Sequence, residues 1–227
     1  MKLAAKEFPT IVRARCAILL GIVALLIAIS YSAAPAAADG IVAIHVDAIH
    51  RVATYYQGEP EPLDFNRRCG TWGVYNPYIV DDSFNVRAKG AAYYALQLLT
   101  QQWALPGDRP HGVHPVTTSL GENKRLLTAY ALKRPDGIWS VLIVNKDGIA
   151  RPVTVDFNRG GAPANFTGAV DVVTFGREQY GWAGHGPADL PSPDSGLKRS
   201  TRMDGAGTYV VAPESLTVIR GAIEIAP

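Results

Sequence analysis

Ile138-Trp139-Ser140-Val141-Leu142-Ile143-Val144-Asn145 followed by Lys146-Asp147-Gly148 reads as a β-strand running into a tight turn, and its reading sets the fold class of the surrounding chain. Eight residues rich in Val, Ile, Leu and Trp are strand-length, and a strand is what such a run between turn residues supports. Pro135-Asp136-Gly137 lies just upstream. Proline fixes one turn dihedral, aspartate bonds its own backbone and glycine accepts positive φ, so a hairpin is expected there and again at Lys146-Asp147-Gly148. Outward from this pair, Val113 to Ser119, Leu126 to Arg134, Ala150 to Phe157, Ala169 to Phe175, Gly207 to Val211 and Ser215 to Arg220 carry the same signature. Ala212-Pro213-Glu214 joins the last two. Seven strands at this spacing predict a mainly β fold, a two-layer antiparallel β-sandwich. Gly176 to Ala206 interrupts them as a Pro/Gly/Ser-rich loop too long for a plain connector.

Upstream the period changes. Ala91, Ala95, Leu99 and Trp103 recur every four residues with Tyr94 and Leu98 beside them, which predicts a helix over Asn85 to Ala104 with a broad apolar face. Asn85 or Ser83 is the expected cap, Arg87, Lys89, Gln97, Gln101 and Gln102 supply the polar side, and Pro106-Gly107 ends it. Val52 to Gln57 reads as a strand, Ile41 to Val46 as a strand or the start of a short helix. Gly58-Glu59-Pro60-Glu61-Pro62 is an extended or turning path because of its two prolines.

The first 38 residues read as a targeting segment: Lys2, Lys6, Arg13 and Arg15 precede an uncharged apolar run from Cys16 to Ile29, and small residues end at Ala36-Ala37-Ala38. A cleaved signal is favoured over a retained anchor because the run is short for a bilayer span, which needs about 20 residues. The whole chain has 22 basic and 20 acidic residues. Removing the four basic residues above and Glu7 leaves 18 against 19, net −1, so the mild basicity belongs to the signal and no nucleic-acid partner is implied. Only Cys69 would survive cleavage, so the exported chain forms no internal disulfide. The expected organisation is 1–38 signal or anchor, 39–110 strand, loop and helix, and 111–227 sandwich.

Residues with chemical potential are few. Glu59 and Glu61 form the one close glutamate pair, and glycoside hydrolysis uses paired carboxylates. Nothing nearby builds the opposed walls that would raise one pKa, so a loop or substrate-edge role is preferred. Asp81-Asp82 reads as an acidic lead-in to the helix. His111 and His114 look like half of a metal site, but Pro110, Gly112 and Pro115 make them exposed linker histidines without further ligands. His45, His50 and His185 are read as structural. Ser119, Ser195 and Ser215 lack the G-x-S-x-G setting of a serine hydrolase. No cofactor or metal is implied. Tyr180 and Trp182 stand in the long loop as Gln179-Tyr180-Gly181-Trp182, where aromatic faces either stack on sugar rings or pin the loop to the sandwich. Tyr56 and Trp72, with Tyr55, are further aromatic candidates.

Three segments carry a resemblance. Gly90-Ala91-Ala92-Tyr93-Tyr94-Ala95-Leu96-Gln97-Leu98-Leu99-Thr100-Gln101-Gln102-Trp103 resembles the last helix of the (β/α)₈ barrel of clan A retaining glycoside hydrolases, the arabinofuranosidase-like and xylosidase-like families. Leu132 to Asp147 is similar to a strand pair of their C-terminal sandwich, and Tyr209 to Arg220 resembles its final hairpin. The resemblance covers most of Tyr55 to Gly221 and implies that Val52 to Glu61 is the eighth barrel strand with its loop, Asn85 to Trp103 the eighth helix, and the rest the sandwich. Tyr55, Tyr56 and Trp72 would then line the barrel rim. Retaining enzymes hold two carboxyl groups about 5–5.5 Å apart. The family places them after strands four and seven, outside this chain, so no catalytic residue is transferred. The expected function is an exported, non-catalytic C-terminal portion of a glycoside hydrolase. A carbohydrate-binding module using Tyr180 and Trp182 is the alternative, and a small complete glycosidase the third reading. Expected partners are carbohydrate, a membrane only if the N-terminal segment is retained, and another copy through the exposed helix face, which is expected either to lie against the sandwich or to pair with that copy.

Overall fold

A computed structural model describes residues 41–55, 77–80, 83, 85–120, 126–160, 162–182, 190–205 and 207–223. Residues 1–38, read above as a targeting segment, and Tyr56, Glu59, Glu61, Cys69, Trp72, Asp81, Asp82 and His185 lie outside the described residues. Residues 40–227 form one compact unit.

The fold is mainly β. Before the helix come β1 (Val42–Asp47), β2 (Ala53–Tyr55), β3 (Tyr78–Val80) and β4 (Val86–Lys89). Helix α1 (Ala91–Gln97) continues as a π-helical stretch, Leu98–Trp103. The remaining strands are β5 (His111–His114), β6 (Val116–Thr118), β7 (Leu127–Lys133), β8 (Trp139–Asn145), β9 (Arg151–Arg159), β10 (Ala162–Ala164), β11 (Phe166–Gly176), β12 (Lys198–Arg202), β13 (Tyr209–Val211) and β14 (Ser215–Ile223). The larger sheet has the order β12-β11-β14-β8-β7-β5-β2. The smaller runs β10-β9-β1-β6, with β13 on the same side of β9 as β10.

The two sheets close on Val42, Ile44 and Val46 of β1, Val153, Val155 and Phe157 of β9, and Trp139, Val141 and Ile143 of β8. Alternate residues of β1 and β9 face inward and their neighbours face out, as expected of strands covered on one side. Strand β8 is different. Its other face, with Leu142 buried and Val144 partly so, packs under the helix together with Val173, Phe175 and Val218. Cover on both faces is the physical reason its sequence is an apolar run instead of an alternation.

The helix is therefore a third layer on the larger sheet, and its geometry corrects the expected one. Val86–Lys89 pairs antiparallel with Tyr78–Val80, so the helix starts at Ala91 after Gly90, and neither Asn85 nor Ser83 caps it. The buried stripe is Tyr94, Leu98 and Gln102, while Ala91 is exposed and Ala95 half-buried. Gln102, assigned above to the polar side, is buried because arginines of the sheet converge on it. Arg199 Nη1 donates to its Oε1 at 2.7 Å, Arg220 Nη1 to the same oxygen at 3.0 Å, and Arg134 Nη1 to its carbonyl at 3.3 Å. Cations at the C-terminal end of a helix answer its unsatisfied carbonyls and negative dipole end.

Long-range pairing decides further points. Val113 to Ser119 is split at Pro115, whose carbonyl accepts from the Asp47 amide, and β5 joins the larger sheet while β6 joins the smaller. Of the two readings open for Ile41 to Val46 the strand is found: Val42–Asp47 is an internal strand of the smaller sheet, parallel to β9, in an otherwise antiparallel sandwich. Ala53–Tyr55 pairs with β5 at the edge of the larger sheet, which is not the place of a barrel strand. His111 and His114 are buried, not exposed in a linker. His111 Nε2 accepts the Leu105 amide, and His114 lies 4.6 Å from the Trp139 ring while its Nδ1 donates to the Asp47 carbonyl. Burial pushes the His114 pKa down, since the imidazolium loses its hydration.

The Pro135-Asp136-Gly137 hairpin is as read, joining the antiparallel pair β7 and β8, but the hairpin expected at Lys146-Asp147-Gly148 is corrected: that turn carries the chain from β8 of the larger sheet to β9 of the smaller, and Ala212-Pro213-Glu214 likewise crosses from β13 to β14. Gly137 takes φ 84°, in the left-handed region that favours glycine. Buried Asn145 ends β8 by donating to the carbonyls of Ile149 and Ala212 and accepting from the Asp147 amide, which ties two loops into one corner. Asp147 in turn is ion-paired to buried Arg151. Tyr209 resembles a tyrosine corner, its hydroxyl donating to the Gly205 carbonyl four residues upstream at 2.6 Å.

Candidate functional site

Small residues at the start of α1 leave a gap between the helix and the ends of the sheet strands. A cleft of about 500 Å³ opens there. Ala91 and Ala95 form one wall, Phe175 of β11 and Leu216 of β14 the floor, and Tyr180 a side. The two alanines, part of the apolar stripe read from the sequence, face this cleft and leave the core to Tyr94 and Leu98.

The cleft ends at a polar rim. Lys146 follows β8, and Arg177 follows β11 and donates through Nη1 to Glu214 Oε2 at 3.1 Å. Both partners are exposed, so the pair contributes little stability. Among the described residues Glu214 is the one carboxylate lining the cleft, and the arginine beside it occupies it. Gly176 allows this close approach: a Cβ there would lie 2.7 Å from both the Glu214 carbonyl and Ser215 Cβ. The arrangement suits contact with an apolar ring face under polar substituents, and Glu214 faces no second acid across it.

The loop that supplies Tyr180 is fixed to the body at several points. The Tyr180 ring packs 6.2 Å from Tyr94 and 6.1 Å from Phe175, centroid to centroid, and its hydroxyl is hydrogen-bonded to the Ala91 backbone. Burial raises the Tyr180 pKa. Tyr94 is raised further, by burial and by its hydrogen bond to Asp194, whose residue also bridges the Tyr180 backbone. Gly181 and Ser192 complete the two-rung ladder, the Ser192 amide donating to the Gly181 carbonyl at 2.8 Å. Tyr180 is thus an anchor of the loop as well as a cleft wall.

Trp182, two residues on, is 43% exposed and does not line the cleft. Of the candidate sugar-binding residues singled out in the sequence, only Tyr180 enters this site; Ser215, read as no hydrolase nucleophile, also lines it. Glu59, Glu61, Tyr56 and Trp72 lie outside the described residues. Lys146, Arg177 and Glu214 were not singled out, because each falls in a turn whose partner turns are set by strand order; Asn145-Lys146-Asp147-Gly148 and Ala212-Pro213-Glu214 signalled turns without saying that they meet. Among the described residues no group of three His, Cys, Asp or Glu side chains is placed to hold a metal ion. Among the same residues no helix is long and apolar enough to cross a membrane.

No protein-family model and no curated protein sequence matches the chain. Among solved structures the chain is similar to a glycoside hydrolase family 44 endoglucanase from Clostridium acetobutylium, with 13% identity and a TM-score of 0.33 over 48% of this chain and 18% of that one. It is similar to a GH30 endoxylanase from Clostridium papyrosolvens at 15% identity, TM-score 0.38, over 59% and 28%. An arabinose-bound family 51 α-L-arabinofuranosidase shows 19% identity, TM-score 0.38, over 60% and 20%. The chain spans 18% to 28% of the length of these enzymes. Likeness at this level transfers neither a site residue nor an activity.

Proposed function

We propose that the chain is an exported, non-catalytic accessory β-sandwich of the glycoside hydrolase kind, the C-terminal portion expected from the sequence resemblance. One observation carries this reading: the cleft between helix and sheet has an apolar floor and, among the described residues, a single carboxylate, already engaged by Arg177. General acid/base work on a glycosidic bond needs two carboxyl groups on opposite sides of it. Secretion of the chain with a new N-terminus after Ala38, read by N-terminal sequencing, tests the export component. The purified secreted chain is expected to leave a panel of aryl glycosides uncleaved. Turnover that disappears in Glu59→Gln or Glu61→Gln would overturn the proposal.

A second reading, a carbohydrate-binding module, is favoured by the exposure of Trp182 beside the anchored Tyr180. Loss of binding to a soluble polysaccharide in Trp182→Ala, with the unfolding temperature unchanged, would select it over the first.

A further inference from the structure

The sandwich has a second concavity, at the edge where β11 and β12 of the larger sheet meet β13 of the smaller. Its volume is about 180 Å³, and Val172, Thr174, Glu178, Lys198, Ser200 and Val210 line it together with Ala212. Register explains why these side chains share one face: Val172 pairs with Ser200 and Thr174 with Lys198, and paired residues of adjacent strands point the same way. Val172, Val210 and Ala212 supply an apolar wall, while Glu178 stands on the turn that follows β11.

Opposite charges that share a notch normally pair or are separated by something that hydrogen-bonds to both. Among the described residues, Glu178, Lys198 and Ser200 have neither an ion pair nor a side-chain hydrogen bond; only the Thr174 hydroxyl is engaged, with Thr217 at 3.1 Å. The free set is a carboxylate that accepts, an ammonium that donates and a hydroxyl that does either. Its charges cancel, which disfavours a ligand of net charge. A hydroxyl group is donor and acceptor at once, so a polyhydroxylated ring satisfies all three groups while resting its C–H face on the valines. The volume is below the roughly 300–1,000 Å³ of sites for drug-sized molecules, so it admits one sugar ring and no chain.

We propose that this notch is a binding site for a single neutral pyranose or furanose unit, held between Glu178, Lys198 and Ser200 against Val172 and Val210. It shares with the proposed function only the chemical class of the ligand, and Trp182 does not line it.

The test is titration of the ¹⁵N-labelled secreted chain with D-xylose, L-arabinose, D-glucose and D-galactose separately, with glycerol as control, following backbone amide shifts. At least one sugar is expected to move the amides of Val172, Ser200 and Val210 saturably at millimolar concentration, with glycerol inert. Glu178→Gln and Ser200→Val are each expected to weaken binding by roughly tenfold, the loss of about one hydrogen bond to a charged or buried partner. Both positions are exposed, and an unchanged amide spectrum elsewhere confirms that the variants fold. Trp182→Ala is expected to leave these shifts intact. The proposal is overturned if all four sugars behave like glycerol, if both notch variants bind as the parent does, or if Trp182→Ala abolishes the shifts. Aryl-glycoside turnover would sink the non-catalytic reading without touching this one.

Discussion

Replacing Leu98 by alanine probes whether the helix is part of the cooperative unit or a passenger on it. Leu98 is fully buried, in the layer where the helix meets Val173, Phe175 and Val218. Removing its three terminal carbons forfeits their transfer energy and leaves a cavity that β-sheet residues cannot readily fill, which for buried Leu→Ala costs about 2–5 kcal/mol. The Gln102 clamp one turn further on, with its three arginines, holds the helix in place and limits collapse, so about 3 kcal/mol is a reasonable central value. For a unit of this size that lowers the unfolding temperature by about 6–12 °C. The assay is thermal unfolding of the purified chain, followed in parallel by far-UV circular dichroism and tryptophan fluorescence. Leu96→Ala is the control, because Leu96 is exposed and its loss should stay within about 0.5 kcal/mol. Both probes should shift together in Leu98→Ala. A main transition that keeps its midpoint while helical signal melts early would show that the sandwich stands without the third layer, and the reasoning fails.

Two other outcomes follow from the geometry. Stability should fall with acid in two windows: His114 has its folded pKa depressed by burial, so the unfolded chain takes the proton first, and stability present above about pH 6.5 declines below it. Asp47 is held at about 2 by the backbone amide of His50, then the His50 side chain and the Ile49 amide, so its contribution is present above about pH 4 and lost as pH falls towards 2. Urea midpoints between pH 8 and 3 check this; an undiminished slope between pH 7 and 5 in His114→Gln would refute the assignment. Gly176→Ala should destabilise by about 1–3 kcal/mol, because its Cβ meets backbone and Ser215 at 2.7 Å, whereas Gly148→Ala meets nothing within 4 Å and should be neutral; equal midpoints for the two variants would contradict the packing described.

Turn chemistry made much of the sandwich legible. Pro135-Asp136-Gly137 joins two strands that pair with each other, so local signals were enough to place β7 and β8 within a residue or two, whereas Lys146-Asp147-Gly148 marked a turn without saying that it crosses from one sheet to the other. Strands without an apolar pattern were not legible. Lys198–Arg202 is the exposed edge of the larger sheet, and its Lys and Arg residues are what an edge tolerates, so its sequence resembles a loop. Val86–Lys89 carries one β-branched residue and two charges, which fit a helix as well as a hairpin until Tyr78–Val80 is there to pair with it. The sugar-platform reading of Gln179-Tyr180-Gly181-Trp182 was half legible: the aromatics stood out, but their separation into a buried anchor and an exposed ring depended on Tyr94 and Asp194.

By itself the sequence determined that this chain is mainly β, where its tight turns fall, and that an apolar helix must lie against something. Those properties come from dihedral preferences and hydrophobic periodicity, which act over a few residues. The tertiary structure decided what the helix covers, that Val42–Asp47 runs parallel to β9, that Gln102 is buried under three arginines, and that the turns after β8 and β11 meet the turn before β14 around one cleft. Each of these joins residues tens of positions apart, and strand order, which no local preference encodes, brings them together.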